Sequence, residues 1–263
     1  CQEIGDRQGE GTTLNNISQI YHAKGDYDRA ISYMEKSLKI SQEIGDRQGE
    51  GTTLNNIAGI AYAKGDYDRA LSYFEKSLKI MQEIGDREGE GRALNNIGRI
   101  YRVRGDNDAA LLYYEKSLKI WQEIGNRQGE GVTLNNISDI YNSKGDYDRA
   151  LSYMEKSLKI RQEIGDRAGM IPTLFNMSMI AMQNKDIEKY MEYLVQAYKI
   201  AGEINNAEGL YQTGRALGQA MHYMGDKQEG IDLLKSTYQI GQRAGYPDAE
   251  ELGKQIRSLE NGG

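Results

Sequence analysis

The 263-residue chain has a single cysteine, Cys1, so no disulfide can close within it and no cysteine-built metal site can form. It has two histidines, His22 and His222, one near each end, which can ligate a metal jointly only if the fold brings its ends together. Its two prolines, Pro172 and Pro247, leave long helices free to form everywhere else. No apolar run approaches a membrane span, and no signal peptide is recognisable. A dominant charge is also missing. The net charge is −6 with both signs interspersed, which argues against a general binder of nucleic acid or membrane surface. Only 38% of residues are hydrophobic and the mean hydropathy is −0.71, which is polar for a compact fold and natural for a thin one with much surface per residue.

What the chain has is repetition. A 40-residue unit beginning at Gly5 returns as near-copies at Gly45, Gly85 and Gly125, and as degenerate ones at Gly165 and Asn205. A fixed period of this length is the mark of a solenoid, in which each unit buries its apolar face against its neighbours. The expected divisions are 5–44, 45–84, 85–124, 125–164, 165–204 and 205–246, followed by a capping helix and tail over 247–263. Residues 1–4 match the end of a repeat, since Cys1-Gln2-Glu3-Ile4 parallels Ser41-Gln42-Glu43-Ile44. The expectation is that further repeats precede them in a longer protein.

Each unit reads as a helical hairpin. Gly5 is suited to end the preceding helix and Asp6 to cap the next. Leu14, Ile17, Ser18 and Tyr21 recur at helical spacing and mark one buried stripe. Lys24-Gly25-Asp26 is the turn, and Ala30, Ile31, Met34, Leu38, Ser41 and Ile44 form the stripe of the second helix. Small residues fall where the two helices must approach: Ser18, Ala58, Gly98, Ser138, Ser178 and Gly218 on one, Ala30, Ala70, Ala110 and Ala150 on the other. The glycines at 9 and 11 and their copies point to close helix contact or a frayed first turn. A phosphate loop is excluded, because it requires a preceding strand and a following Lys-Ser/Thr.

The constellation Ser18, Tyr21, Gly25-Asp26-Tyr27, Ala30, Met34 resembles the tetratricopeptide repeat, and it covers nearly the whole chain. The longer unit, with Glu-Ile-Gly-Asp-Arg-x-Gly-Glu-Gly joining copies, is similar to the 40-residue repeats of the Pins/LGN adaptors and to those of kinesin light chains. The resemblance implies an all-α, right-handed superhelical solenoid of antiparallel hairpins, with the first helix of each hairpin lining a concave groove.

On that implication, the inner stripe is Thr12, Asn15, Gln19 and His22 in the first unit and Thr52, Asn55, Gly59 and Tyr62 in the second. In the third it is Arg92, Asn95, Arg99 and Arg102, and in the fourth Val132, Asn135, Asp139 and Asn142. The asparagines at 15, 55, 95 and 135 form a ladder that suits an extended peptide backbone; bonding between repeats is the competing use. Arg92, Arg99 and Arg102 share one helix face and suit an acidic side chain, a phosphate or a C-terminal carboxylate. Pairing with Asp139, or a solvated face, is the competing use. In the fifth unit Phe175, Met179 and Met182 replace the polar stripe, either as a seat for an apolar ligand anchor or as packing against the last hairpin. Tyr190 stands where the earlier unit has Ala150, so the fifth hairpin must pack differently.

No catalytic constellation emerges. Cys1 is matched by Ser41, Met81, Trp121 and Arg161, so its position carries no fixed chemistry. The expectation is a non-catalytic, cytoplasmic module with no cofactor, no metal, no nucleic-acid and no membrane partner. It binds a protein or peptide, acidic and with an apolar anchor. The alternatives are a regulatory array within a larger signalling enzyme, making intramolecular contacts, and end-to-end self-association of near-identical repeats.

Overall fold

A computed structural model describes residues 2–260, with side chains from Asp6 onward. Cys1 and the last three residues of the expected tail lie outside the described residues. Thirteen helices are described: α1 (Gln2–Ala23), α2 (Tyr27–Glu43), α3 (Arg47–Lys64), α4 (Tyr67–Ile84), α5 (Arg87–Val103), α6 (Asn107–Glu123), α7 (Arg127–Ser143), α8 (Tyr147–Glu163), α9 (Arg167–Gln183), α10 (Ile187–Glu203), α11 (Ala207–Met224), α12 (Lys227–Ala244) and α13 (Ala249–Glu260). No strand occurs among the described residues. The chain forms two compact units, Cys1–Ile140 and Tyr141–Gly263.

The helix boundaries follow the Gly-Asp joints. Gly45 takes φ 71°, which only glycine adopts without penalty, and the Asp46 and Gly45 N–H groups bond back to the carbonyls of Ser41 and Gln42. Asp46 then accepts from the Gly49 N–H at 2.8 Å and caps α3. Asp86, Asp166 and Asn206 cap in the same way, and Asn126 accepts from the Gly129 N–H at 2.8 Å. Two joints lack glycine, and there Lys185 (φ 61°) and Asn205 (φ 54°) take the left-handed conformation.

Two expectations need correction. The helix does not break at Gly5-Asp6, because α1 runs through from Gln2. Gly5 keeps helical geometry there instead of the left-handed turn taken at Gly45 and Gly85. Pro172 does not interrupt its helix either and lies inside α9. One backbone hydrogen bond is lost, but Ile171, Leu174, Met177 and Ile180 on the buried side hold the helix on both sides of it.

In the first unit α1 packs on α2, α3 on α4 and α5 on α6; in the second α9 packs on α10 and α11 on α12. The small residues sit at these contacts. Ser18 donates across to the Ala30 carbonyl at 2.8 Å, and Ser37, Ser77 and Ser117 donate to the carbonyls of Gly11, Gly51 and Gly91 at 3.0, 2.7 and 2.8 Å. These contacts settle the role of Gly11 and its copies as close helix contact: a methyl group at Gly51 would stand 2.7 Å from Met81 and one at Gly91 3.0 Å from Trp121. Ser37 and Ile40 are buried as well, on a flank of α2 outside the stripe read from sequence. The fifth hairpin departs as expected. Tyr190 fills the site of the alanine methyl, and Ser178 turns back to its own helix, donating to the Phe175 carbonyl at 2.6 Å.

Along the outside, arginines tie hairpin to hairpin. Arg47 binds Glu50 in its own helix and Glu83 at the end of α4, and Arg87 binds Glu90 and Glu123 likewise. In the second unit α13 closes the apolar face of the last hairpin. Leu252 and Ile256 are buried among Tyr211, Ile231 and Leu234, and its charged residues face outward.

Candidate functional site

The first helices of successive hairpins form an inner row. In the first unit α3 touches α5 as well as its own partner, and in the second α9 touches α11. Asparagine pairs bind this row together: Asn96 Nδ2 donates to Asn55 Oδ1 at 3.2 Å, and Asn136 Nδ2 to Asn95 Oδ1 at 2.9 Å. The oxygens of Asn55 and Asn95 are therefore used between helices. With those oxygens accepting, the Nδ2 groups of Asn55 and Asn95 are the donors these two amides still offer. Asn15 has its Oδ1 enclosed without a partner among described residues and lines a cavity with Thr12 and Thr52; Asn135 is half-buried on α7.

The structure brings several predicted residues into one hollow. Gln19 and His22 of α1, Asn55 and Tyr62 of α3, and Arg99 of α5 line a cavity of about 480 Å³, with Phe74 of α4 at its floor. Arg99 lies over the Tyr62 ring, 4.7 Å from its centroid, and makes no hydrogen bond to a described residue. Asn55 also borders a second hollow of about 400 Å³, lined by Gln48, Thr52, Glu88 and Arg92.

The arginine set divides. Arg92 is bound to Glu88 of its own helix at 2.6 Å and belongs to the second hollow. Arg102 faces Asp139 of α7 at 3.7 Å, a loose pairing beyond hydrogen-bond length. Burial pushes the Asp139 carboxyl above its ordinary range, and the pull of Arg102 only partly offsets this.

One residue here was not singled out from sequence. Tyr114 of α6 is fully buried, and its hydroxyl makes no hydrogen bond with a described residue. Its ring passes so close to α5 that a methyl at Gly98 would stand 2.7 Å from it. Desolvation drives its pKa well upward, partly offset by the positive charges of Arg102 and Arg99. The available signal was the series Met34, Phe74, Tyr114 and Met154, in which only Tyr114 carries a polar tip.

In the second unit Phe175 and Met179 are half-buried against the core of Ala150, Leu174, Leu194 and Leu217. Met182 stays 52% exposed, and Asn142 is half-buried with its Oδ1 enclosed. On α11, Arg215 binds Asp248 at 2.6 Å and Gln219 donates to Gln255 of α13 at 2.9 Å. Among described residues no cluster of three metal-ligating side chains occurs, and no helix is long and apolar enough to cross a membrane.

Sequence models of the tetratricopeptide repeat match residues 12–44 and, in three overlapping stretches, residues 49–203. More than half of the chain is covered, and the chain belongs to the tetratricopeptide repeat family. No curated protein matches it at a significant level. Among solved structures it is similar to a signal-transduction ATPase with a tetratricopeptide repeat sensor from Pyrococcus horikoshii, with 21% identity and a TM-score of 0.75 over 95% of this chain and 39% of that one. It is also similar to a Rap protein complexed with competence and sporulation factor, with 15% identity and a TM-score of 0.68 over 96% of this chain and 75% of that one. The nearly identical repeats of a putative kinesin light chain from Podosopora anserina match at 15% identity and a TM-score of 0.60, over 73% of this chain and 95% of that one. At these identities the likeness shows the fold.

Proposed function

We propose that this chain is a non-catalytic interaction module that holds a peptide segment of a protein partner on the inner face of its first unit. The observation that carries the reading is the hollow between α1, α3 and α5, where Gln19, Asn55 and Arg99 present polar donors above an aromatic floor. Oriented amide donors suit the carbonyls of an extended backbone, and Arg99 adds a charge-assisted donor for an acidic side chain. Asn15, Asn95, Asn135, Arg92, Arg102 and Asp139 extend the same face. The Rap structure, in complex with competence and sporulation factor, lends this reading support by analogy of fold alone.

A peptide-display selection against the chain, with Arg99→Glu as the control, tests it. Enrichment of acidic peptides that is lost in the variant supports a groove-binding module. Enrichment that ignores the substitution removes Arg99 from the site. A second reading, a sensor or regulatory array within a larger signalling enzyme, is favoured by the likeness to the ATPase, of which this chain spans 39%. Selection that enriches nothing favours that reading.

A further inference from the structure

The third hairpin departs from its near-copies on the outer side of its second helix. Helix α6 is close to α4 in sequence, yet Ala109 stands where α4 has Arg69, and Leu112 where it has Ser72. The equivalent positions 29 and 149 are also arginine, and 32 and 152 are also serine. Ala109 and Leu112 lie about one turn apart on the same face of α6. Leu112 is 50% exposed.

What the arginine does at the other positions defines what is missing here. Arg69 reaches back to Glu35 of the preceding hairpin at 2.7 Å, and Tyr73 donates to the same carboxylate at 3.1 Å. The Arg69 guanidinium also lies over the Tyr73 ring, 5.7 Å from its centroid. Arg29 and Arg149 lie over Tyr21 and Tyr141 in the same manner, at 5.5 and 5.0 Å. In the third hairpin Tyr101 and Tyr113 stack with their centroids 5.3 Å apart, and Lys116 lies over Tyr113. No guanidinium of a described residue lies over either ring. Glu75, the counterpart of Glu35, is exposed and makes no ion pair or hydrogen bond with a described residue. A tyrosine pair and a carboxylate thus keep the setting that receives an arginine at the other junctions, while the chain supplies only a methyl group. A guanidinium suits this setting better than an ammonium, because it lies flat on an aromatic ring and forks onto a carboxylate.

We propose that the outer faces of α4 and α6 form a docking site for a helix of a partner protein. The partner's arginine takes the vacated place between Glu75 and the Tyr101–Tyr113 stack, and its apolar residue one turn away covers Leu112. The site lies on second helices, so it stands independently of the hollow among α1, α3 and α5.

NMR titration of the whole chain with an acetylated, amidated, alanine-based helical peptide carrying leucine and arginine one turn apart is the test. Counterparts with lysine, or with citrulline, which keeps the shape of arginine and loses its charge, complete the set. Each is measured against wild type, Ala109→Arg and Leu112→Ser. The arginine peptide should give saturable shifts at the backbone amides of Glu75, Ala109 and Leu112. Citrulline should weaken it about fivefold, the upper range for an exposed ion pair, with lysine in between. Ala109→Arg should abolish the shifts, because the chain then fills the place itself, and Leu112→Ser should weaken binding. Both variants install the residue that the near-copies carry, so each should melt at the wild-type temperature or above, and lost binding is then not a folding defect. Arginine and citrulline peptides binding equally would overturn the site, as would binding that survives Ala109→Arg. A lysine peptide that matches the arginine one would overturn the choice of a guanidinium. Shifts centred on Asn55 and Arg99 instead, or no saturation at millimolar arginine peptide, would overturn the outer-face site while leaving the inner-face reading untouched.

Discussion

Lys185 shows how a single residue departs from the repeat. At ten other joints a glycine takes the left-handed conformation, whereas here a lysine holds φ 61°. A side chain in that region costs about 1 kcal/mol or more. Lys185→Gly should therefore stabilise the chain by roughly 0.5–1 kcal/mol, less whatever the glycine adds to the freedom of the unfolded chain, as read from urea unfolding. Asp139 gives a pH-dependent case. Its folded pKa is raised by burial, so its charged form burdens the native state at neutral pH. The burden is relieved as the pH falls through the raised pKa and is gone below the ordinary aspartate value. Asp139→Asn should raise the melting temperature near pH 7, with the gain fading in acid. A destabilised variant at neutral pH would mean that pairing with Arg102 outweighs desolvation. At this scale the sequence was legible wherever a residue acts locally: Gly45-Asp46 was readable as stop and cap. Tyr114 was not readable, because the enclosure of its hydroxyl depends on how closely α6 packs against Gly98 of α5.

The hairpin is the scale at which the repeat carries most information. Period, turn and small-residue positions together specify two helices in close contact, and the serine-to-carbonyl bonds across them follow from that approach. The pairing of Gly98 with Tyr114 gives an exchange test. Gly98→Ala forces a methyl into the Tyr114 ring and should cost about 1–3 kcal/mol. Adding Tyr114→Met, the residue at the equivalent positions 34 and 154, removes the ring that the methyl meets and should recover much of the loss, and non-additivity in thermal unfolding checks it. Helix α13 was legible as a cap from its charged outer positions, and its anchor is testable. Leu252 is fully buried, so Leu252→Ala should cost about 2–5 kcal/mol in chemical unfolding. Pro172 failed as a breaker because the packed face of α9 outweighs one lost hydrogen bond.

Across the whole molecule, stability comes from neighbour contacts repeated along the chain, and specificity comes from where the copies differ. The Arg47 and Arg87 ties recur and bind hairpins together. Gly59, Arg99 and Asp139 occupy the same position of successive inner helices and share no chemistry. That contrast is why the fold was legible from period alone while the site was legible only in part. The sequence placed the asparagines and arginines on one face. It did not reveal that Asn55 and Asn95 give their oxygens to neighbouring helices, or that Arg92 pairs with Glu88 away from Arg99. The central claim is that the inner face of the first unit receives a peptide. Titration of a selected acidic peptide, followed by NMR through the side-chain resonances of Gln19, Asn55 and Arg99, tests it most directly. Saturable shifts are expected at all three, with the outer-helix residues Lys79 and Lys119 unmoved. Shifts confined to the outer helices, with Asn55 and Arg99 silent, would contradict it.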